Sequence, residues 1–323
     1  MNLRFYPKPA LRFLSAILGL LLLLPACSVV ERAGMAVLYR QAALPEPQSA
    51  KNLAYGPEAG QKLNLFLPAL ETKSGWPVVL FVHGGSWVSG DRDLTVGGAD
   101  VYGNIGRYLA SQGIGAAIIS YRLQPQATWQ EQVADVARAA GWIHRHLAAR
   151  GGDPDRIFFM GHSAGAQLAA FTALNRPALQ KAGVPAHAVR GVIAVSGAGM
   201  DLGDARTYAL GHDPAYYRSL VDPKGQNPQW ARDASVTSFI RKTSPPFLVL
   251  YGASEEKPMI RQSVRLHEAL GEQGIFSKIL AIPRQGHSLM VLALSRPDKM
   301  AGPATVDFIR RFSPPAGRPP ASY

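Results

Sequence analysis

Short, continuously apolar runs alternate with amphipathic stretches along most of the chain. Such runs are typical of strands that are buried on both faces of a parallel sheet. The spacing predicts strands over residues 77–82, 116–121, 156–160, 189–196, 246–251 and 276–282. It predicts helices over residues 105–112, 129–150, 259–270 and 305–312. Strands that alternate with helices indicate an α/β fold, with a mostly parallel central sheet and helices on both faces.

The regular alternation is preceded by a hairpin pattern and interrupted once. Residues 52–55 and 61–67 alternate around Gly-Pro and Gly positions, which predicts an antiparallel hairpin. Residues 197–244 are rich in Gly, Pro, Asp and aromatic side chains and contain no such alternation. Because long irregular segments in compact domains are usually functional, we expect this insert to cap a pocket and to suit an apolar or aromatic group of a ligand. Its aromatic residues are Tyr208, Tyr216, Tyr217, Trp230 and Phe239.

The first residues have the pattern of an export signal. Arg4, Lys8 and Arg12 precede an apolar run over residues 13–24, which is too short to span a bilayer comfortably. The run ends in Leu-Pro-Ala before Cys27, which is the only cysteine, and this resembles a bacterial lipoprotein signal. The resemblance implies cleavage after residue 26, lipidation of Cys27 and anchoring in the cell envelope, with Ser28 favouring the outer membrane. The alternative is an ordinary secretory signal followed by a stray buried cysteine.

These features divide the chain into four parts. We predict a signal peptide over residues 1–26, a tether over 27–50, one α/β domain over 51–312 and a flexible Pro-rich tail over 313–323. With a single cysteine the fold has no intramolecular disulfide, so its stability must come from packing. The sequence leaves the oligomeric state open.

The net charge of +12 changes this picture little. The basic residues are scattered, without the runs or aromatic-interleaved patches that would indicate nucleic-acid binding. Attraction to anionic lipid headgroups or to an acidic substrate fits an anchored protein better. A solvated basic surface is the simplest interpretation.

A Gly-His-Ser-Ala-Gly motif over residues 161–165 lies between a predicted strand and a predicted helix. In that context a G-x-S-x-G motif forms a tight turn that holds its serine above the sheet in a strained conformation. Ser163 is therefore the predicted nucleophile. A serine hydroxyl needs a base to accept its proton, and the base needs an orienting carboxylate.

His287 is the predicted base, because it follows the last strand and so lies at the same sheet edge as Ser163. The acid should follow the preceding strand, where no aspartate is available and Glu255 and Glu256 are. We prefer Glu255 for its distance from the strand and leave Glu256 open. The other histidines considered lie in helices or in loops without such a context: His144, His146, His267, His187 and His212.

The loop over residues 82–87 is the predicted oxyanion loop. Its glycines allow backbone N–H groups to approach a substrate, and each well-placed donor contributes roughly 10²–10³ in rate. We expect the N–H groups of Gly85 and Ser86 to donate, with Gly84 as the alternative, together with that of Ala164. His83 is expected to be structural and Trp87 to form a pocket wall.

Five motifs arrive in a familiar order: HGGSW at 83–87, YRL at 121–123, GGDPDRI at 151–157, GHSAGAQLA at 161–169 and GHS at 286–288. Together they resemble α/β-hydrolases, in particular the HGGxW carboxylesterases that include kynurenine formamidase-like and feruloyl-esterase-like proteins. The resemblance implies the α/β-hydrolase fold and serine hydrolysis without a metal or cofactor. Serine stands where many relatives have a third glycine, and glutamate replaces the commoner aspartate.

The function expected from these residues is cleavage of a small-molecule carboxylic ester through a Ser-His-Glu triad and an acyl-enzyme. Amide or formamide hydrolysis by the same triad is an alternative. A binding protein without activity on a hydrolase scaffold is a third interpretation, which the intact Ser163 and His287 disfavour.

Overall fold

The computed structural model describes residues 44–69, 75–96 and 98–314, together with position 37. The predicted signal peptide, Cys27, most of the tether and all but the first two residues of the predicted tail lie outside these residues.

An eight-stranded sheet forms the centre of the described part, in the order β1-β2-β6-β3-β7-β8-β9-β10, and β4 and β5 form a separate two-stranded pair. The strands are β1 Ser49–Ala54, β2 Lys62–Phe66, β3 Trp76–Val82, β4 Thr95–Val96, β5 Ala99–Asp100, β6 Gly115–Ile119, β7 Gly152–His162, β8 Val189–Val195, β9 Phe247–Gly252 and β10 Ser277–Ile282. Strand β2 pairs antiparallel with β1 and with β6, and all other neighbours in the sheet are parallel. The predicted fold class is confirmed.

Two layers of helices cover the sheet. The helices are α1 Val101–Ser111, α2 Trp129–His146, α3 Ala164–Leu174, α4 Arg176–Lys181, α5 Ala205–Ala209, α6 Pro214–Val221, α7 Trp230–Ala234, α8 Lys257–Glu272, α9 Leu289–Leu294 and α10 Ala301–Phe312. One buried cluster contains side chains of α2, α3 and α8, and the other contains side chains of α1, α9 and α10. None of the helices in the described part is long and apolar enough to cross a membrane.

Strand β3 shows why the central strands are continuously apolar. Val78, Leu80 and Val82 belong to one buried cluster, whereas Val79 and Phe81 belong to the other. Because successive side chains of a strand point to opposite faces, a strand covered on both faces must be apolar at every position. The same strands bring their carboxyl ends, and the loops that follow, to one edge of the sheet.

Most predicted elements occur with shifted ends. Helix α2 begins at a capping box, in which Thr128 accepts from the Glu131 N–H and the Glu131 carboxylate accepts from the Thr128 N–H. It ends at His146, and a 3₁₀ turn over Ala148–Arg150 follows, so the prediction to residue 150 was too long. Helices α4 and α9 were not predicted, and α9 separates His287 from the final helix.

The insert over residues 197–244 lies between β8 and β9. It contains α5, α6, α7 and a 3₁₀ turn over Val236–Phe239. Two ion pairs connect it to α8: Arg261 with Asp204 at 2.7 Å and Arg265 with Asp201 at 3.0 Å. The insert is therefore fastened to the helix that begins directly after Glu255 and Glu256.

Candidate active site

Ser163 occupies the tight turn between β7 and α3. Its backbone has φ 57° and ψ −125°, a conformation that is strained for a residue with a Cβ atom. A Cβ atom at Gly161 would lie 2.1 Å from the Gly165 carbonyl oxygen, and one at Gly165 would lie 2.2 Å from the Val82 oxygen. Both positions therefore need glycine, because the turn packs backbone against backbone. The turn presents the Ser163 side chain at the carboxyl edge of the sheet.

His287 reaches Ser163 from the loop between β10 and α9. Its Nε2 lies 2.9 Å from the Ser163 Oγ, so the hydroxyl can donate its hydrogen to the imidazole. These residues are 124 positions apart in the chain. The fold thus brings together the predicted nucleophile and the predicted base within hydrogen-bond distance.

Glu255 lies behind His287. Its Oε2 is 3.5 Å from Nδ1 of His287, which is long for a hydrogen bond, and such contacts often tighten when a substrate is bound. The other oxygen, Oε1, accepts from the Gly252 N–H at 2.7 Å and from the Ser196 hydroxyl at 2.5 Å. The Glu255 side chain is fully buried, so these two donors compensate for its lost hydration.

Glu256 has a different environment. It is exposed and precedes the first residue of α8. No ion pair or hydrogen bond joins its carboxylate to His287 in the described part of the chain. Of the two acids that the sequence left open, the structure therefore brings Glu255 to His287.

His162 was not singled out from the sequence, yet it contacts His287. Its Nε2–H donates to the main-chain carbonyl of His287 at 2.9 Å, and the two rings lie 4.7 Å apart. Burial, together with the nearby charge of His287, lowers the pKa of His162 to about 3, so its ring is neutral near pH 7. Its place in the motif, next to the nucleophile, is the only sequence signal that could have indicated this contact.

The predicted oxyanion loop passes close to the Ser163 turn. Gly85, Ser86 and Trp87 have φ values of 122°, 54° and 64°. The Gly85 carbonyl accepts from the N–H groups of Val88 and Ser89, which closes the loop on itself. A Cβ atom at Gly84 would lie 3.1 Å from the Ser163 Cβ, so a larger residue there would require the Ser163 turn to shift by a few tenths of an ångström.

His83 anchors the start of this loop. Its ring is buried, stacks on Tyr121 with centroids 4.4 Å apart, and donates from Nδ1 to the Gly84 carbonyl at 2.6 Å. Burial lowers the pKa of His83 to about 4, so it is neutral near pH 7. The Tyr121 hydroxyl donates to the His83 carbonyl at 3.1 Å.

A cavity of about 470 Å³ opens beside Ser163. Four residues of the insert line it, together with Trp87, Met259 and the residues around the Ser163 turn. The complete lining is Ser86, Trp87, Ser163, Ala164, Ala198, His212, Tyr216, Tyr217, Ser254, Glu255, Glu256, Met259 and His287. The volume is suited to a small molecule.

Only two of the five aromatic residues expected to serve the pocket reach it, namely Tyr216 and Tyr217. Tyr208 donates to the Leu202 carbonyl at 2.5 Å, and Phe239 packs on Phe171 with centroids 4.6 Å apart. Trp230 packs against the larger hydrophobic core. Tyr208 thus supports the insert internally, while Phe239 and Trp230 pack it onto the rest of the domain, so the expectation was wrong for these three side chains.

Among the residues that the structure describes, no three His, Cys, Asp or Glu side chains are grouped so that they could hold a metal ion.

The sequence of this chain matches the model of a known protein family. The BD-FAE family model matches residues 63–270, which is more than half of the chain. The chain belongs to the BD-FAE family. The matched range of this BD-FAE protein includes the oxyanion loop, Ser163 and Glu255, and it ends before His287.

Curated relatives of the BD-FAE protein are named as esterases. The esterase LipQ of Mycobacterium tuberculosis is 31% identical over 268 residues, which cover 80% of this chain and 61% of LipQ. A probable isoprenylcysteine alpha-carbonyl methylesterase, ICMEL1 of Oryza sativa, is 34% identical over 170 residues, which cover 53% of this chain and 34% of that protein. The chain thus spans less than two thirds of these relatives.

Solved structures confirm the α/β-hydrolase fold. Esterase B from Lactobacillus rhamnosis aligns with a TM-score of 0.70 at 22% identity, covering 92% of this chain and 94% of that chain. A truncated carbohydrate esterase from gut microbiota aligns with a TM-score of 0.68 at 20% identity, covering 82% of this chain and 95% of that chain. At this identity the likeness concerns the fold alone.

Proposed function

We propose that the BD-FAE protein is a carboxylic ester hydrolase that uses Ser163, His287 and Glu255 as a catalytic triad. The observation that supports this most strongly is the 2.9 Å contact between Ser163 Oγ and His287 Nε2 at the wall of the 470 Å³ cavity. Glu255, buried and held by two donors, can fix the imidazole tautomer and stabilise its positive form.

In the first step the Ser163 oxygen attacks the ester carbonyl carbon and its proton passes to His287 Nε2. The carbonyl π electrons move onto oxygen, and the N–H groups of Gly85, Ser86 and Ala164 donate to that oxyanion. When the tetrahedral intermediate collapses, the bond to the alcohol oxygen breaks. The departing oxygen takes the proton from Nε2, which leaves the acyl group on Ser163.

In the second step a water molecule gives a proton to His287 Nε2 and attacks the acyl carbon. The second tetrahedral intermediate uses the same oxyanion donors. Its collapse breaks the bond to Ser163 Oγ, which recovers its proton from Nε2. The products are an alcohol and a carboxylic acid, and the triad returns to its starting state.

Family membership and the named relatives support ester hydrolysis as the reaction class. LipQ is named as an esterase, and LipM of Mycobacterium tuberculosis, 32% identical, as a probable carboxylic ester hydrolase. The cavity volume supports a small-molecule substrate.

The test is hydrolysis of p-nitrophenyl esters of increasing acyl length, with N-formylkynurenine as a formamide substrate. We expect turnover of the esters by the wild type and its loss in Ser163→Ala. Hydrolysis of the formamide alone would favour the arylformamidase alternative. Retention of ester turnover in Ser163→Ala would contradict the proposed nucleophile.

We also propose that Cys27 carries a lipid that anchors the protein in a bacterial cell envelope, with the outer membrane as the preferred location. The support is the sequence pattern around Cys27, which lies outside the described residues. Mass spectrometry of the N-terminal peptide should find an acylated Cys27, and Cys27→Ser should move the protein from the membrane to the soluble fraction. An unmodified Cys27 in a membrane-free protein would contradict the anchor.

A further inference from the structure

His212 is a residue of the insert that lines the same cavity as Ser163 and His287. The proposed triad mechanism gives it no role. Its Nδ1 lies 2.9 Å from the Tyr217 hydroxyl, and the two rings are 5.6 Å apart. The imidazole is half-buried, so part of it remains open to a ligand.

Tyr217 fixes the position of that ring. Its side chain is buried and packs edge-on against Trp87, with centroids 6.2 Å apart. The Trp87 indole in turn donates to the Gln167 side chain at 3.2 Å. The His212 ring of the insert is thus held in position by contacts that run through Tyr217 to Trp87 of the oxyanion loop.

The protonation state of the pair follows from burial. Burial raises the pKa of the Tyr217 phenol well above its usual value, so Tyr217 keeps its proton. Burial also lowers the pKa of His212, and the charge of His287 lowers it further, whereas Glu256 raises it. The net lowering favours a neutral imidazole near pH 7.

A buried phenol needs an acceptor for its proton. Among the described residues, the only hydrogen-bond partner of the Tyr217 hydroxyl is Nδ1 of His212. Nδ1 therefore accepts, and the hydrogen of the neutral ring is on Nε2. No described residue accepts a hydrogen bond from that Nε2–H.

We propose that His212 is a substrate-binding residue whose Nε2–H donates to a neutral oxygen of the substrate other than those of the scissile ester. The exposed carboxylate of Glu256 lines the same cavity and disfavours an anionic group there. No lysine or arginine is among the lining residues that would attract one. The substrate class is therefore an ester with an additional hydroxyl, ether or carbonyl oxygen rather than a plain alkyl ester.

This inference rests on the proposed function, and its test uses pairs of esters that differ by one oxygen. In the acyl pair, p-nitrophenyl methoxyacetate replaces one methylene of p-nitrophenyl butanoate by oxygen. In the alcohol pair, 2-methoxyethyl acetate does the same for butyl acetate. Two pairs are needed because the oxygen can belong to either side of the scissile bond. Because each variant is compared with the wild type on the same ester, the intrinsic reactivity of that ester cancels.

The variants are His212→Phe, which keeps a ring without nitrogen, and Tyr217→Phe, which keeps the packing and removes the hydroxyl. In at least one pair, His212→Phe should lower kcat/KM for the ester with the extra oxygen by about three- to tenfold more than for its methylene partner. This factor corresponds to the free energy of one hydrogen bond. The loss should be mainly in KM. Tyr217→Phe should give a smaller loss in the same direction, and it serves as the probe if His212→Phe does not fold.

His187→Phe is the matched control. His187 is an exposed histidine that pairs with Asp155 at 3.1 Å and does not line the cavity. His187→Phe should leave kcat/KM unchanged for both esters of both pairs. If His212→Phe and Tyr217→Phe change kcat/KM equally for both esters of both pairs, this inference is overturned while the proposed function stands. Absence of all ester hydrolysis by the wild type would overturn the proposed function and this inference with it.

Discussion

Two adjacent glutamates follow β9, and their surroundings differ completely. Glu255 is buried and accepts from Gly252 and Ser196, while Glu256 is exposed at the start of α8. A buried carboxylate with two donors keeps one orientation, so it can orient a neighbouring imidazole. Of the two glutamates, only Glu255 can therefore orient His287.

Glu255→Gln should therefore lower kcat by a factor on the order of 10² to 10⁴, because the imidazole loses its orienting charge. Glu256→Gln, one residue away and of the same chemistry, is the matched control and should keep kcat near that of the wild type. Steady-state kinetics with one p-nitrophenyl ester checks both. A larger loss in Glu256→Gln than in Glu255→Gln would contradict the assignment.

His162 contributes to the position of His287. It holds the main chain of His287 through a 2.9 Å hydrogen bond, so His162→Ala should displace the proposed base. Misplacement of a reacting group can cost about 10²-fold, and we expect a fall in kcat of about ten- to a hundredfold with little change in KM. His162→Gln, which retains a side-chain N–H donor, should recover part of the loss. A change confined to KM would contradict a positioning role.

The insert and α8 both contribute lining residues to the cavity, and ion pairs connect the two. Arg261 contacts both oxygens of Asp204, at 2.7 and 3.1 Å, and also reaches Glu268. Burial alone would raise the pKa of Asp204, but hydrogen bonds from Arg261 and Thr207 outweigh it and lower that pKa. The pair is thus a favourable contact that fastens the insert over Ser163.

Arg261→Gln should lower the free energy of unfolding by about 1–3 kcal/mol, the worth of hydrogen bonds to a charged group. It should also raise KM more than it lowers kcat, since the insert supplies lining residues and the triad lies outside it. Arg296→Gln is the control: Arg296 makes a similar two-pronged contact with the exposed Asp298 and should cost less than about 1 kcal/mol. Urea unfolding and steady-state kinetics measure both effects. Equal losses in the two variants would contradict the fastening role.

The sequence predicted the elements whose pattern is long or strongly punctuated. The central strands were predicted because nearly every position is apolar, and helix α2 was predicted because its apolar residues recur at helical spacing. Helix α9 was missed because six apolar residues, Leu289–Leu294, are too short for periodicity to distinguish helix from strand. The roles of His162 and His212 depend on contacts with His287 and Tyr217 that local pattern does not encode.

Across the whole domain, burial keeps two histidines next to the Ser163 turn, His83 and His162, in the neutral form. The pKa values of His83 and His162 fall to about 4 and about 3, whereas in the unfolded chain they are near 6.5. Below pH about 6.5 the unfolded chain therefore binds protons that the folded chain does not. Stability is lost as the pH falls from about 6.5 towards these lowered values.

Each such histidine should remove up to about 1.4 kcal/mol of unfolding free energy for each pH unit below about 6.5. Urea unfolding between pH 7 and pH 5 measures this slope. It should be shallower in His162→Gln than in the wild type. Parallel curves for the two proteins would contradict a neutral, buried His162.

The proposed function depends on the activation of one serine out of the many in the chain. Labelling with a fluorophosphonate, followed by mass spectrometry of the peptides, identifies that serine. We expect one adduct, on the peptide that contains Ser163, and a labelling rate about 10² or more times lower in His287→Gln. An adduct on another residue, or equal labelling of wild type and His287→Gln, would contradict it.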